Sequence, residues 1–119
     1  GLTFQAVYSG FLGSERQIGV VEDFICRFRG PDTVVVVDPV MGDYGRVYQT
    51  YTAAMCSGMA RLAELADVIT PNLTEAALLL GQPYETLPAG EAGPRPDRRR
   101  LLRRPHREDG GRSDRLCGP

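Results

Sequence analysis

The sequence predicts an α/β fold in residues 1–87, a parallel sheet with crossover helices packed on it, and three observations carry that prediction. Short apolar runs suited to strands recur at residues 3–8, 34–37 and 67–70. The segments between them place apolar residues at helical spacing, giving the order β-α-β-α-β-α of successive crossover units. Two of the runs also end in polar turns, TVVVVDPVMGD at residues 33–43 and DVITPNLTE at residues 67–75.

Taken in order, residues 3–8 form the first strand. Ser14, with Gln17 three residues on, reads as a capping box opening a helix that runs to about Phe28, with Ile18, Val21, Ile25 and Phe28 on one face. Gly30, Pro31 and Asp32 end it. The unbroken valines 34–37 read as a strand buried on both faces of a parallel sheet. Residues 39–51, rich in Gly, Asp and Tyr, are long enough for a functional loop. Thr52 opens a second helix to about Ala66, with Met55, Met59, Leu62 and Leu65 turned inward. Residues 67–70 form a third strand, and residues 74–80 a short helix stopped by Gly81 and Pro83.

At 119 residues, 42% of them apolar, the chain has room for one small domain. Its formal charge of −1 hides an asymmetry. Residues 1–90 hold five Arg against ten Asp and Glu, whereas residues 91–119 hold nine Arg against five acids. No lysine is present. Cys26, Cys56 and Cys117 are odd in number and lack C-x-x-C spacing, so reduced thiols in a cytoplasmic protein are the simplest expectation. No apolar run is long enough for a membrane span, and no signal peptide is evident, so no membrane partner is expected. Residues 88–119 are dense in Arg, Pro and Gly without apolar periodicity, a composition expected to stay disordered. Their arginines lack interleaved aromatics, which argues against a nucleic-acid partner.

The chemistry-bearing residues gather where strands end, the rim at which open α/β sheets bind ligands. Asp38 closes a strand and precedes Pro39, so its carboxylate projects from the rim, although Asp-Pro is also an ordinary turn. Asp43 lies between Gly42 and Gly45, where the missing side chains let backbone approach a phosphate. Asn72 and Glu75 have the spacing of a helix cap and its N3 partner. A carboxylate there is also held ionised by the helix dipole and suits magnesium, directly or through water. Thr70 ends the third strand before Pro71, and Ser9, Gly10 and Phe11 follow the first. Phe11 could equally fill the core under the next helix.

YSGFLGS at residues 8–14, VVVDPVMGD at residues 35–43, Tyr48 and DVITPNLTEAALLLG at residues 67–81 resemble the pyridoxal/pyridoxamine kinases of the ribokinase-like superfamily. Related hydroxymethylpyrimidine kinases use strings similar to DPVMG and TPNxxE, and YSGFLGS tilts the choice to pyridoxal. The resemblance implies a partial ribokinase-like fold and ATP-dependent phosphorylation of the 5′-hydroxyl of a vitamin B6 alcohol, with Mg²⁺ and a monovalent cation. It implies that Asp38, Asp43, Tyr48, Thr70, Asn72 and Glu75 bind ATP, that Asp38, Thr70 and Glu75 serve the metal, and that Gly10 and Phe11 hold the substrate. Tyr is frequent in the family where this chain has Phe11. A homodimer of the family type is compatible with it.

The chain has no G-x-x-x-x-G-K-[ST] phosphate loop. The Gly-x-Gly-Asp element that supplies the catalytic base in this superfamily is also absent, and the sole histidine, His106, lies in the Arg-rich segment. The expectation is an inactive internal fragment of a kinase or a non-catalytic nucleotide-binding remnant. The start at Gly1 and a reading frame shifted after Leu87 are part of that expectation, with a natural basic tail as the alternative.

Overall fold

A computed structural model describes residues 1–87, so the expectations for residues 88–119 lie outside the described part. Strand β1 (Ala6–Ser9) leads into helix α1 (Glu15–Phe28), then strand β2 (Val34–Val37). A small hairpin of β3 (Gly42–Asp43) and β4 (Arg46–Val47) follows, then helix α2 (Ala53–Leu65), strand β5 (Val68–Ile69), helix α3 (Leu73–Leu80) and a 3₁₀ turn at Tyr84–Thr86. The first, second and fifth strands make a parallel sheet in the order β1-β2-β5, with Ala6 opposite Val34 and Val37 opposite Ile69. The α/β class and the parallel sheet with crossover helices are those read from the sequence, while the hairpin falls within residues 39–51, which were expected to form a loop.

Local chemistry sets the helix boundaries. Ser14 Oγ accepts from the Gln17 N–H at 3.2 Å, but Gln17 Oε1 reaches back to the Gly13 N–H at 2.7 Å, so the expected box is closed one residue early. Thr52 Oγ1 accepts from the Met55 N–H and caps α2. Gly81, at φ 65°, ends α3 in the left-handed conformation that glycine adopts without strain.

The core lies between the sheet and the pair α1 and α2. Ile18, Ile25, Val35, Val37, Met59 and Leu62 are each 1% exposed or less. Arg29, just past α1, donates to the Leu65 carbonyl at 2.5 Å and to Asp67 Oδ1 at 2.6 Å. Asp67 Oδ2 accepts from the Val35 N–H, so one carboxylate joins the end of α1 to the β2–β5 edge.

The valine run departs from its expected double burial. Val35 and Val37 are fully buried, but Val34 is 45% exposed, as is Tyr8 at 66% on the same face of β1. Two successive right-handed crossovers in one direction put both helices on the same face, which leaves the other face of these strands uncovered among the described residues. Cys56 carries a free thiol. No helix among the described residues is long and apolar enough to cross a membrane.

Candidate functional site

Parallel pairing brings the strand ends to one rim. The Asp38 N–H donates to the Ser9 carbonyl at 2.8 Å, and the Thr70 N–H donates to the Val37 carbonyl at 3.2 Å. Ser9, Asp38 and Thr70 therefore follow one another across the sheet edge where the strands stop. Asp38 is half-buried, and Tyr8 Oη stands 3.4 Å from its Oδ2.

The first turn of α3 closes the rim. Asn72 Oδ1 accepts from the Glu75 N–H at 2.9 Å and Glu75 Oε2 accepts from the Asn72 N–H at 2.8 Å, the capping box that the spacing predicts. Two further bonds lie beyond it. Glu75 Oε1 accepts from the Met41 N–H at 3.2 Å, and Asn72 Nδ2 donates to the Gly42 carbonyl at 2.9 Å. The cap of α3 thus also fixes the backbone that follows Asp38.

That backbone continues into the hairpin, whose central residues Tyr44 and Gly45 both have positive φ, 49° and 75°. This is the turn class whose twist matches two antiparallel strands. The Gly45 N–H donates to Thr74 Oγ1 at 2.8 Å, pinning the hairpin to α3. A Cβ on Gly42 would run into the Arg46 carbonyl, so only glycine fits this close approach of the two strands. The hairpin places Asp43 and Tyr44 in solvent, with Asp43 Oδ1 accepting from the Tyr44 N–H at 2.8 Å.

Glu75 is only 3% exposed. Burial pushes its carboxyl above the ordinary range and the nearby Asp38 charge adds to this, against the N–H groups of Asn72, Met41 and Gly42, which favour the carboxylate. The Tyr51 hydroxyl is buried without a hydrogen-bond partner, and burial raises its pKa, with Cys56 and Glu75 adding.

The structure thus brings Asp38, Thr70, Asn72 and Glu75 to one rim and sets Asp43 on the adjoining hairpin. Tyr48, 41% exposed, donates its N–H to the Met41 carbonyl just beyond β4. Gly10 and Phe11 follow β1, and Phe11 is 59% exposed, so it is not core filler. Tyr8 and Thr74 were missed in the sequence. The alternation of β1, which sets Tyr8 on the face opposite Val7, was the available signal for the first; nothing local marked the second.

Among the described residues no three His, Cys, Asp or Glu side chains converge as they do around a metal ion. What the rim offers magnesium is the Asp38 carboxylate and the exposed Thr70 at the strand ends. Glu75 has both oxygens taken by backbone N–H groups, which fits a contact through water better than direct ligation. Hard oxygen donors of this kind suit a magnesium-bound nucleotide.

The family model described as phosphomethylpyrimidine kinase matches residues 1–93. The chain belongs to that family. Among curated proteins it is 37% identical over 83 residues to the pyridoxal kinase of Deinococcus radiodurans, covering 68% of this chain and 28% of that protein. Among solved structures, a Bacteroides thetaiotaomicron protein provisionally named a phosphomethylpyrimidine kinase superposes with a TM-score of 0.69 at 53% identity, over 70% of this chain and 29% of that one. The pyridoxal kinase of Lactobacillus plantarum gives 0.64 at 36% identity, over 73% of this chain and 31% of that one. The pyridoxal kinase family and its ribokinase-like fold, read from YSGFLGS, DPVMGD and TPNLTE, are borne out. The chain spans less than a third of the length of each of these relatives.

Proposed function

We propose that this chain carries the nucleotide- and metal-facing rim of an ATP-dependent pyridoxal kinase, which phosphorylates the 5′-hydroxyl of pyridoxal or a related vitamer. The observation that carries the reading is the clamp from Glu75 to Met41, which sets the Asp38 and Glu75 carboxylates together beside the ends of β2 and β5. Support comes from relatives whose structures hold the corresponding ligands. One crystal form of the Bacteroides protein contains pyridoxal, and the Leishmania donovani pyridoxal kinase was solved with ADP and pyridoxamine.

In this reading Asp38 and Thr70 face the magnesium of Mg-ATP, and Glu75 acts through water while holding the loop after β2 in place. Asp43, Tyr48 and Asn72 lie toward the phosphates, and Gly10 and Phe11 toward the pyridine ring. The bound magnesium would supply charge neutralisation for phosphoryl transfer, which is mostly positioning and electrostatics. Since the sequence holds no Gly-x-Gly-Asp element, the 119-residue chain binds without turning over.

A second reading, hydroxymethylpyrimidine or phosphomethylpyrimidine kinase, is favoured by the description of the matching family model. The two differ in the ring held beside Phe11. Amide chemical shifts of the isolated chain, followed during titration with pyridoxal and separately with hydroxymethylpyrimidine, test the choice. Pyridoxal is expected to move Gly10 and Phe11 at lower concentration. A preference for the pyrimidine would transfer the assignment to the second reading.

A further inference from the structure

Tyr8 stands on the rim but belongs neither to the nucleotide contacts nor to the ring contacts. It lies opposite Val36 in the β1–β2 register, and the ladder runs one step further through the Asp38 N–H, which donates to the Ser9 carbonyl. Strand alternation therefore sets Tyr8, Val36 and Asp38 on one face, with Asp38 diagonal to Tyr8 and within reach of so long a side chain. The phenol Oη stands 3.4 Å from Asp38 Oδ2. A carboxylate only accepts, so the phenol is the donor. The bond is longer than the roughly 2.5–3.0 Å of a strong O–H···O contact, and it orients the carboxylate more than it stabilises the fold. Among the described residues no other group hydrogen-bonds the Asp38 carboxylate, so its Oδ1 is left open. Glu75, by contrast, has both oxygens taken by the Met41 and Asn72 N–H groups.

We propose that Tyr8 is a positioning residue that sets the metal preference of the rim: by holding Asp38 Oδ2 it presents Oδ1 alone to a divalent cation, and so favours magnesium over calcium. The inference rests on the nucleotide-binding reading of Asp38 and adds the residue that selects the cation there.

The selection follows from how the two ions use a carboxylate. Mg²⁺ demands near-octahedral geometry and keeps several waters, whereas Ca²⁺ takes about six to eight oxygens and accepts a carboxylate through one oxygen or both. An Asp38 whose second oxygen is held by a phenol loses the two-oxygen mode and keeps the single contact. The terminal torsion of aspartate is broad, so without Tyr8 the carboxylate turns freely and both oxygens face the ion. Groups that hydrogen-bond a ligating carboxylate orient it, and removing one costs about 10-fold to 100-fold in metal affinity. Tyr8→Phe deletes only the donor, at an exposed position where the ring is kept.

Calorimetric titration of the 119-residue chain with ATP, in saturating Mg²⁺ and separately in saturating Ca²⁺, tests this, with circular dichroism confirming that each variant is folded. Wild type is expected to bind ATP more tightly with Mg²⁺ than with Ca²⁺. Tyr8→Phe should narrow that preference by about 10-fold, because binding with Mg²⁺ weakens while binding with Ca²⁺ holds or strengthens. In an Asp38→Asn background the same change should leave the ratio where it was, since the pair is already broken. A role in packing alone would weaken binding with both cations alike. An unaltered ratio in Tyr8→Phe, a narrowing that persists in Asp38→Asn, or a wild type that binds ATP equally with either cation overturns the proposal and leaves the nucleotide reading standing. Wild-type ATP binding that needs no cation, or that is absent from the folded chain, overturns the nucleotide reading itself and this proposal with it.

Discussion

Glu75, on the first turn of α3, accepts a hydrogen bond from the backbone N–H of Met41, a residue 34 positions earlier, while its other oxygen closes the capping box with Asn72. One buried carboxylate therefore fixes two backbones. The sequence spacing pointed to the cap alone, and the second bond changes what a substitution there should do.

Glu75→Gln keeps the side chain's shape but turns one acceptor oxygen into a donor, leaving either the Met41 or the Asn72 N–H facing an NH₂ group. A buried N–H without an acceptor costs about 1–3 kcal/mol. Urea unfolding of the 119-residue chain should show a loss of that size. Unchanged stability would mean that the Met41 contact contributes nothing and that Gln replaces Glu as a simple cap.

The same residue gives a pH signature. Its folded pKa is raised, chiefly by burial. The folded chain therefore holds this proton to higher pH than the unfolded chain, whose carboxyl titrates near about 4.3. The stability linked to Glu75 is fully present below that unfolded value and is lost as pH rises through the folded pKa. Between pH values just above 4 and neutrality, wild type should lose stability relative to Glu75→Gln. A difference that is flat, or that grows with pH, would contradict the buried-carboxyl account.

Gly45 holds the hairpin by two constraints at once. Its φ is 75°, and a Cβ there would stand 2.9 Å from the Tyr84 ring. Gly45→Ala should cost about 1–2 kcal/mol for the backbone conformation, with the ring contact added. Combining it with Tyr84→Ala should recover the steric part only, so a double-mutant cycle in urea should show a favourable coupling. Strict additivity would remove Tyr84 as the hairpin's support.

Much of this architecture was legible because single residues spoke locally. Thr52 and Asn72 announced their helices by cap chemistry, and Asp38 and Thr70 were placed on the rim by the strands they terminate. The hairpin at Gly42–Val47 was read as a loop, because its strands are two residues each and too short for a period-two pattern. The exposure of Val34 was not legible either, since a run of valines reads the same whether one face or two are covered. The Met41–Glu75 and Gly45–Thr74 bonds join residues far apart in sequence, and no local spacing encodes them.

If the proposed reading holds, the 119-residue chain should form no pyridoxal phosphate from ATP and pyridoxal above background, since in that reading the rim residues position charge but supply no base or anion hole. Chromatographic detection of protein-dependent product would show that the catalytic element is not required, or is supplied by residues other than a Gly-x-Gly-Asp string.

The central claim, that the Asp38–Glu75 rim receives a magnesium-bound nucleotide, is tested most directly by calorimetric titration of the 119-residue chain with ATP, with and without Mg²⁺, beside Asp38→Asn. The account predicts binding that depends on magnesium and weakens about 10-fold or more in the variant, the loss expected for one charge-assisted contact. Binding that is equal without magnesium, or equal in Asp38→Asn, or absent from a chain shown to be folded, would contradict it.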